Sequence, residues 1–411
     1  MEVQKTVLDV KRSQNIIVVN KMNHPANVSN FLKAIFFGKK QGFEKFILDF
    51  SNVKSAFPNV CVPLASIITF YKQEGIDLII NKMPEYLTRS YIESPLKVRD
   101  HHSELSRSAL DIVWQFCNSD DVNLLVDSFI DDVSKNIECQ KGVIEGLTWC
   151  LNEVMDNVIQ HSKIEAGYVM GQIHKTSKHI AFCISDNGQG IYNSLKESVH
   201  APRYPVDAIT LSIEEGVTRD TKIGQGNGMW GLHEIVKSNS GRLVITSGPA
   251  SYMMLGDEIS TFNKLPFLSK ENPGAIIDFQ VDCEKEISVS DALGGYEPVN
   301  LRIENLENDQ GILEYKLAEK SSGTGTRQSG ERIRNEIINI YNDSKQVIEI
   351  DFGGIAVISS SFADELIGKL VIKYGFFNFT QIFRLKNMNQ IVQAIVHRSV
   401  SQRMAESLKT G

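Results

Sequence analysis

Three short segments in the middle of the chain restrict this sequence more than anything else in it, because their chemistry and their order must be satisfied together. The first, residues 147–161 (LTWCLNEVMDNVIQH), sets Leu147, Cys150, Leu151, Val154, Met155, Val158 and Ile159 in one stripe at helical period. Glu153 and Asn157 lie four residues apart, so both project from one face of that helix, one turn above the other. The second segment reads as a strand over 179–185 that runs into Asp186-Asn187-Gly188-Gln189-Gly190. The third, Gly224-Gln225-Gly226-Asn227-Gly228-Met229-Trp230-Gly231-Leu232, reads as a glycine loop opening a helix, and a returning strand comes next over 241–247.

Each segment alone has a plain explanation. A helix can carry Glu153 and Asn157 on a solvated face, an Asp-Asn-Gly turn is ordinary, and alternating glycines describe any flexible loop. Each also has a chemical reading. A carboxylate beside an amide oxygen suits a hydrated Mg2+, which takes few protein ligands. An acid so placed can activate a water. A carboxylate at a strand end can accept from an exocyclic amine such as adenine N6. Gly188 lets a flat ring approach the backbone, and Gly190 can turn with positive φ. Glycines before a helix N-terminus expose N–H groups that cradle phosphate. The joint order is far rarer than any one part, and it favours the chemical reading.

In this order the segments resemble the GHKL (Bergerat-fold, histidine-kinase-like) ATPases, across about 143–281. The resemblance implies ATP and Mg2+ as cofactors. It assigns a catalytic base role to Glu153, a metal role to Asn157 and adenine recognition to Asp186 with Gly188 and Gly190. Phosphate or lid contacts fall to Lys222, Gly224, Gly226, Asn227 and Gly228, with Arg219 nearby. The NEVMDNVIQHS stretch is most similar to the anti-sigma-factor kinase and mismatch-repair branches. One departure stands out: the family's final strand often begins Gly-Thr, whereas this chain reads Pro273-Gly274-Ala275-Ile276, and Ala275 has no hydroxyl.

The flanks alternate strands and helices. The first block reads as strand 15–19, helix 28–37, strand 45–49, helix 62–73 and strand 77–80, a small α/β layer. The last block reads as a flexible turn over 321–330, helix 331–341, strand 347–352 and helix 362–374. Asp49-Phe50 and Asp351-Phe352 each end a buried strand before a turn and an apolar helix, which predicts a shared fold. The last block looks like a STAS-like domain, the fold of anti-anti-sigma factors, in which partner kinases phosphorylate a serine at the start of a helix. Ser360 falls nearest that position, and the competing reading makes Ser360 or Ser361 a helix cap. The first block has Ala56-Phe57-Pro58-Asn59 there and lacks an acceptor serine. Arg327 reads as a surface residue that could meet phosphate or an acid.

The expected architecture is therefore α/β (α+β): a central GHKL α/β sandwich with a mixed sheet, flanked by two small STAS-like α/β domains. The expected divisions are 1–98, 99–290 and 295–411, with 284–300 as a polar linker. A net charge of −7 argues against a large nucleic-acid surface. Short apolar runs and a mixed-charge start predict no membrane helix, no signal peptide and a cytoplasmic location. The six cysteines lack metal-ligand spacing. The expected function is an ATP/Mg-binding regulator, a slow ATPase or serine-kinase-like switch acting on a protein partner through its STAS-like domains. Alternatives are a non-catalytic nucleotide sensor that scaffolds partners, and an ATP-gated homodimeric clamp in defence or repair.

Overall fold

The computed structural model describes residues 8–161, 166–217, 228–264, 274–295, 300–308, 310–321 and 323–410. Its internal contacts divide the chain into two compact units. One holds Met1–Ile130, Leu147–Asp282 and Asp291–Gly295; the other holds Asp131–Gly146, Cys283–Ser290 and Tyr296–Gly411.

The first unit contains two sheets. Strands β1 (Val10–Ser13), β2 (Ile16–Val19), β3 (Lys45–Asp49) and β4 (Asp77–Lys82) lie side by side in that order. Only β1–β2 is antiparallel. Helices Pro25–Lys40 and Pro58–Gln73 make the crossovers between the parallel strands, as such strands require. The N-terminal strand β1 departs from the expected elements, because its VKRS has no apolar alternation to mark it.

The larger sheet holds β5 (Leu96–Lys97), β6 (Trp114–Phe116), β7 (Gly167–His174), β8 (His179–Asp186), β9 (Arg242–Ser247), β10 (Ala250–Leu255), β11 (Glu258–Phe262) and β12 (Ala275–Asp282). Their order across the sheet is β11-β10-β9-β12-β8-β7-β6-β5. It is mixed: β5–β6 is parallel, while β6–β7, β7–β8 and β8–β12 are antiparallel. Phe182 of β8 and Phe279 of β12 are cross-strand partners with stacked rings 5.8 Å apart, and Phe129 meets Phe182 edge-on at 5.1 Å. The helix Val143–His161 buries Leu147, Cys150, Leu151, Val154, Met155 and Val158 of the stripe read from its sequence, and leaves Ile159 half-buried. The opposite face of the sheet is covered too. Tyr168, Met170 and Cys183 share one apolar cluster with Cys61, Ala65 and Ile68 of the helix Pro58–Gln73. That helix is buried over most of its surface, which its apolar run VCVPLASIITF permits.

In the second unit β13 (Leu313–Lys316), β14 (Ile348–Asp351) and β15 (Phe383–Lys386) form a parallel sheet. The helix Arg327–Ser344 and the run Ser360–Ala363, Asp364–Gly368 (π-helical) and Lys369–Tyr374 connect them. Two expectations need correction here. Residues 327–330 belong to the helix, capped by Thr326, whose hydroxyl accepts from the Ser329 amide at 3.1 Å. Within the stretch read as a linker, Ile287, Val289 and Leu293 are buried, and Val289–Ala292 is helical.

The expected echo between the flanks is visible as shared hydrogen bonding. Asp49 and Asp351 each accept from the amide two residues on, Ser51 at 2.9 Å and Gly353 at 2.8 Å. Phe50 donates to the Lys82 carbonyl at 2.8 Å, and Phe352 to the Lys386 carbonyl at 3.0 Å. Val53 and Ile355 then close the same turn back to Phe50 and Phe352, each at 3.0 Å.

Candidate functional site

Glu153 and Asn157 stand on one face of the helix Val143–His161, as their spacing requires. The helix Gly228–Ser238 begins against them. A Cβ placed on Gly228 would lie 2.5 Å from Glu153 Oε2 and 3.2 Å from Asn157 Nδ2. The end of the glycine segment and the two polar side chains therefore meet at one point, and nothing larger than hydrogen fits there without displacing Glu153. Burial, then the Asp156 charge, pushes the Glu153 carboxyl above the usual glutamate range. Asp156 itself is raised by burial.

Asp186 ends β8 and is only 6% exposed. Its Oδ1 accepts from the Gly188 amide at 2.7 Å and its Oδ2 from the Ala275 amide at 3.3 Å. Desolvation outweighs these two bonds and pushes its carboxyl up to about 6. Gly190 has φ +72, the left-handed conformation its residue type was expected to supply.

Arg219, Lys222, Gly224, Gly226 and Asn227 lie outside the described residues; of the glycine segment, Gly228 onward is described. Gly274 and Ser247 carry no signal in the sequence for a role at this site. A Cβ on Gly274 would lie 1.9 Å from the Asp186 carbonyl oxygen, so this position brings the start of β12 hard against the acid-bearing turn. Ser247 pairs with Ala275 across β9 and β12, and its Oγ accepts from the Ile191 amide at 2.8 Å. The strand position facing the missing threonine thus carries a hydroxyl, occupied in fixing the helix Gly190–Leu195.

In the second unit the helix cap is Ser359, neither Ser360 nor Ser361. Its Oγ accepts from the Phe362 amide at 3.0 Å and shares a 3.0 Å hydrogen bond with Ser361 Oγ. Ser360 is exposed, and its hydroxyl makes no hydrogen bond among the described residues. Arg327 does meet an acid: its Nη1 donates to Glu365 Oε2 at 2.9 Å. Glu365 is 1% exposed and also pairs with Arg334 and Lys369. Among the described residues no helix is long and apolar enough to cross a membrane, and no group of three His, Cys, Asp or Glu side chains could hold a metal ion.

Two family models match the chain. Residues 142–269 match the histidine kinase-, DNA gyrase B- and HSP90-like ATPase family. Residues 329–393 match a STAS-like domain of unknown function, DUF4325. No curated protein matches the chain. Among solved structures, a mycobacterial sensor histidine kinase, MprB, is similar at 17% identity, over 40% of this chain and 94% of that one, with a TM-score of 0.24. With Glu153, Asn157, Asp186 and Gly228 set in one compact unit, the middle of this chain is a domain of the GHKL ATPase family, and a STAS-like domain lies C-terminal to it.

Proposed function

We propose that the chain is an ATP- and Mg2+-binding regulator in which the nucleotide state of the GHKL domain controls the STAS-like blocks. One observation carries the reading: Gly228 sits against both Glu153 and Asn157, so the groups suited to water and metal lie where the glycine segment ends. The donor set fits a hydrated magnesium, since one amide oxygen beside a carboxylate leaves most ligand positions to water and phosphate. Asn157 would hold that ion, which when bound neutralises phosphate charge. Glu153, made more basic by burial, orients a water and takes its proton. Asp186 accepts from the adenine amine while Gly188 and Gly190 leave room for the ring. Lys222, Gly224, Gly226, Asn227 and Gly228 contact the phosphates.

In this reading residues 1–98 form a regulatory STAS-like copy without an acceptor. Residues 295–411 present the STAS-like surface to a protein partner in the cytoplasm. The shared turns at Asp49 and Asp351 support a shared fold for the two blocks. A serine-kinase variant has its own support, because Ser359 does the capping and leaves Ser360 exposed and unengaged.

Incubation of the full chain with ATP labelled at the γ-phosphate separates these. Released phosphate that disappears in Glu153→Ala, with nucleotide still bound, supports slow hydrolysis. Label on protein that Ser360→Ala removes supports phosphotransfer. Nucleotide binding with neither product leaves a sensor, and failure to bind ATP with Mg2+ ends the proposal. ATP-dependent dimerisation by light scattering would favour a clamp instead.

A further inference from the structure

The residue between the two halves of the nucleotide-site turn, Asn187, is held by the first block. Ser66, fully buried on the helix Pro58–Gln73, donates through Oγ to Asn187 Oδ1 at 2.6 Å. In return Asn187 Nδ2 donates to the Ser66 carbonyl at 3.0 Å. Ser185, just before Asp186 on β8, donates to Ser66 Oγ at 3.4 Å. One amide thus grips a side chain and a main-chain carbonyl of the same helical residue, which fixes both the position and the rotation of that helix against the turn. Around these polar contacts the interface is apolar, with Cys61, Ala65 and Ile68 packed with Tyr168, Met170 and Cys183.

Asn187 has little freedom to move alone. Asp186 before it is tied to the Gly188 and Ala275 amides. The Gly274 backbone lies so close that an added Cβ would come 3.0 Å from Asn187 Cα. The turn that presents the Asp186 carboxylate is therefore pinned from two directions, by β12 on one side and by Ser66 on the other. Releasing the Ser66 helix would leave the half-buried Asn187 amide without two partners and free the turn to re-orient.

We propose that Ser66 and Asn187 form a latch through which the first block positions the adenine-binding turn, so that docking of that block and adenine-nucleotide binding favour each other. Ser66 is a positioning residue, acting through Asn187 rather than touching nucleotide. The inference rests on the nucleotide reading of Asp186. Because thermodynamic coupling is reciprocal, nucleotide must tighten the docked helix by the same factor by which the docked helix tightens nucleotide. The latch acts at the base end of the site, so ADP and ATP engage it alike.

The test uses the full chain. In wild type, hydrogen exchange of the amides in 58–73 is expected to slow when ADP or a non-hydrolysable ATP analogue is added with Mg2+. Ser66→Ala is expected to weaken ADP binding by about five- to tenfold, within the range of typical couplings, and to abolish that nucleotide-dependent slowing. Asn187→Ala and the Ser66→Ala/Asn187→Ala double variant are expected to bind ADP equally, since one group works only through the other. Wild type that binds ADP without any change in exchange over 58–73 overturns the latch and leaves the nucleotide site standing. So does a Ser66→Ala chain with wild-type affinity. A wild type that binds no adenine nucleotide overturns both. The exchange measurement on wild type decides the matter even if a variant fails to fold.

Discussion

Replacing Asp186 by Asn should make the protein more stable and worse at binding nucleotide. Burial lifts this carboxyl from the ordinary 3.8 to about 6. For an acid the folded form then holds its proton more tightly than the unfolded chain. No penalty exists below pH 3.8; it builds as pH rises towards 6 and is complete above it. The full penalty is about 3 kcal/mol, at about 1.36 kcal/mol per pH unit. Asn is isosteric and neutral and keeps an oxygen for the Gly188 amide. It turns an N–H towards the Ala275 amide, losing a 3.3 Å bond that contributes about 1 kcal/mol. The net gain is about 2 kcal/mol near pH 7.5, a rise of about 4 °C in the melting transition of a unit this size. Near pH 4.5 most of the penalty is already gone, so the gain should vanish. Affinity moves the other way: an ionised acceptor for the adenine amine is lost, about 1.5–3 kcal/mol or roughly 10- to 150-fold. Differential scanning of both chains at the two pH values, with calorimetric titration of ADP, measures both effects. An Asp186→Asn chain that melts below wild type at pH 7.5, or an advantage that persists unchanged at pH 4.5, refutes the desolvation argument.

Other changes probe the neighbouring contacts. Gly274→Ala puts a methyl 1.9 Å from the Asp186 carbonyl oxygen, backbone against backbone, so neither side can yield; a loss of about 2–3 kcal/mol in stability is expected by denaturant titration. Gly228→Ala meets the movable end of Glu153 instead; the chain should fold normally and bind ADP, while phosphate release falls by roughly a hundredfold as the base is displaced. Ser359→Ala removes the cap of its helix and should cost about 1 kcal/mol. Ser360→Ala should stay within about 0.5 kcal/mol of wild type, and equal effects of the two would contradict the assignment of the cap.

The central domain was legible because its chemistry is local and ordered. Glu153 and Asn157 share a face by helical period, and Asp186 ends a strand that its apolar run announces. Periodicity likewise placed β3, β4 and the helices Pro25–Lys40 and Arg327–Ser344, with their ends off by a few residues. It failed for β15, whose alternating FRLK is only four residues long, and for the helix Gln390–Thr410, whose apolar and polar residues are too evenly mixed to signal a face. The cap at Ser359 was placed one or two residues late, because three consecutive serines offer the same hydroxyl and only backbone geometry chooses among them.

Residue type and the periods of two and 3.6 were enough to say which side chains can meet a nucleotide and which strand or helix carries each. The surroundings of those side chains came only from packing in three dimensions. Gly228 became a contact of Glu153, Gly274 a contact of Asp186, and Ser66, one hydroxyl in an apolar run, the partner of Asn187. These contacts join residues far apart in the chain, 121 positions in the case of Ser66 and Asn187, and no local pattern encodes them. They exist because close packing of two layers leaves a half-buried amide to find its partner on whichever element arrives.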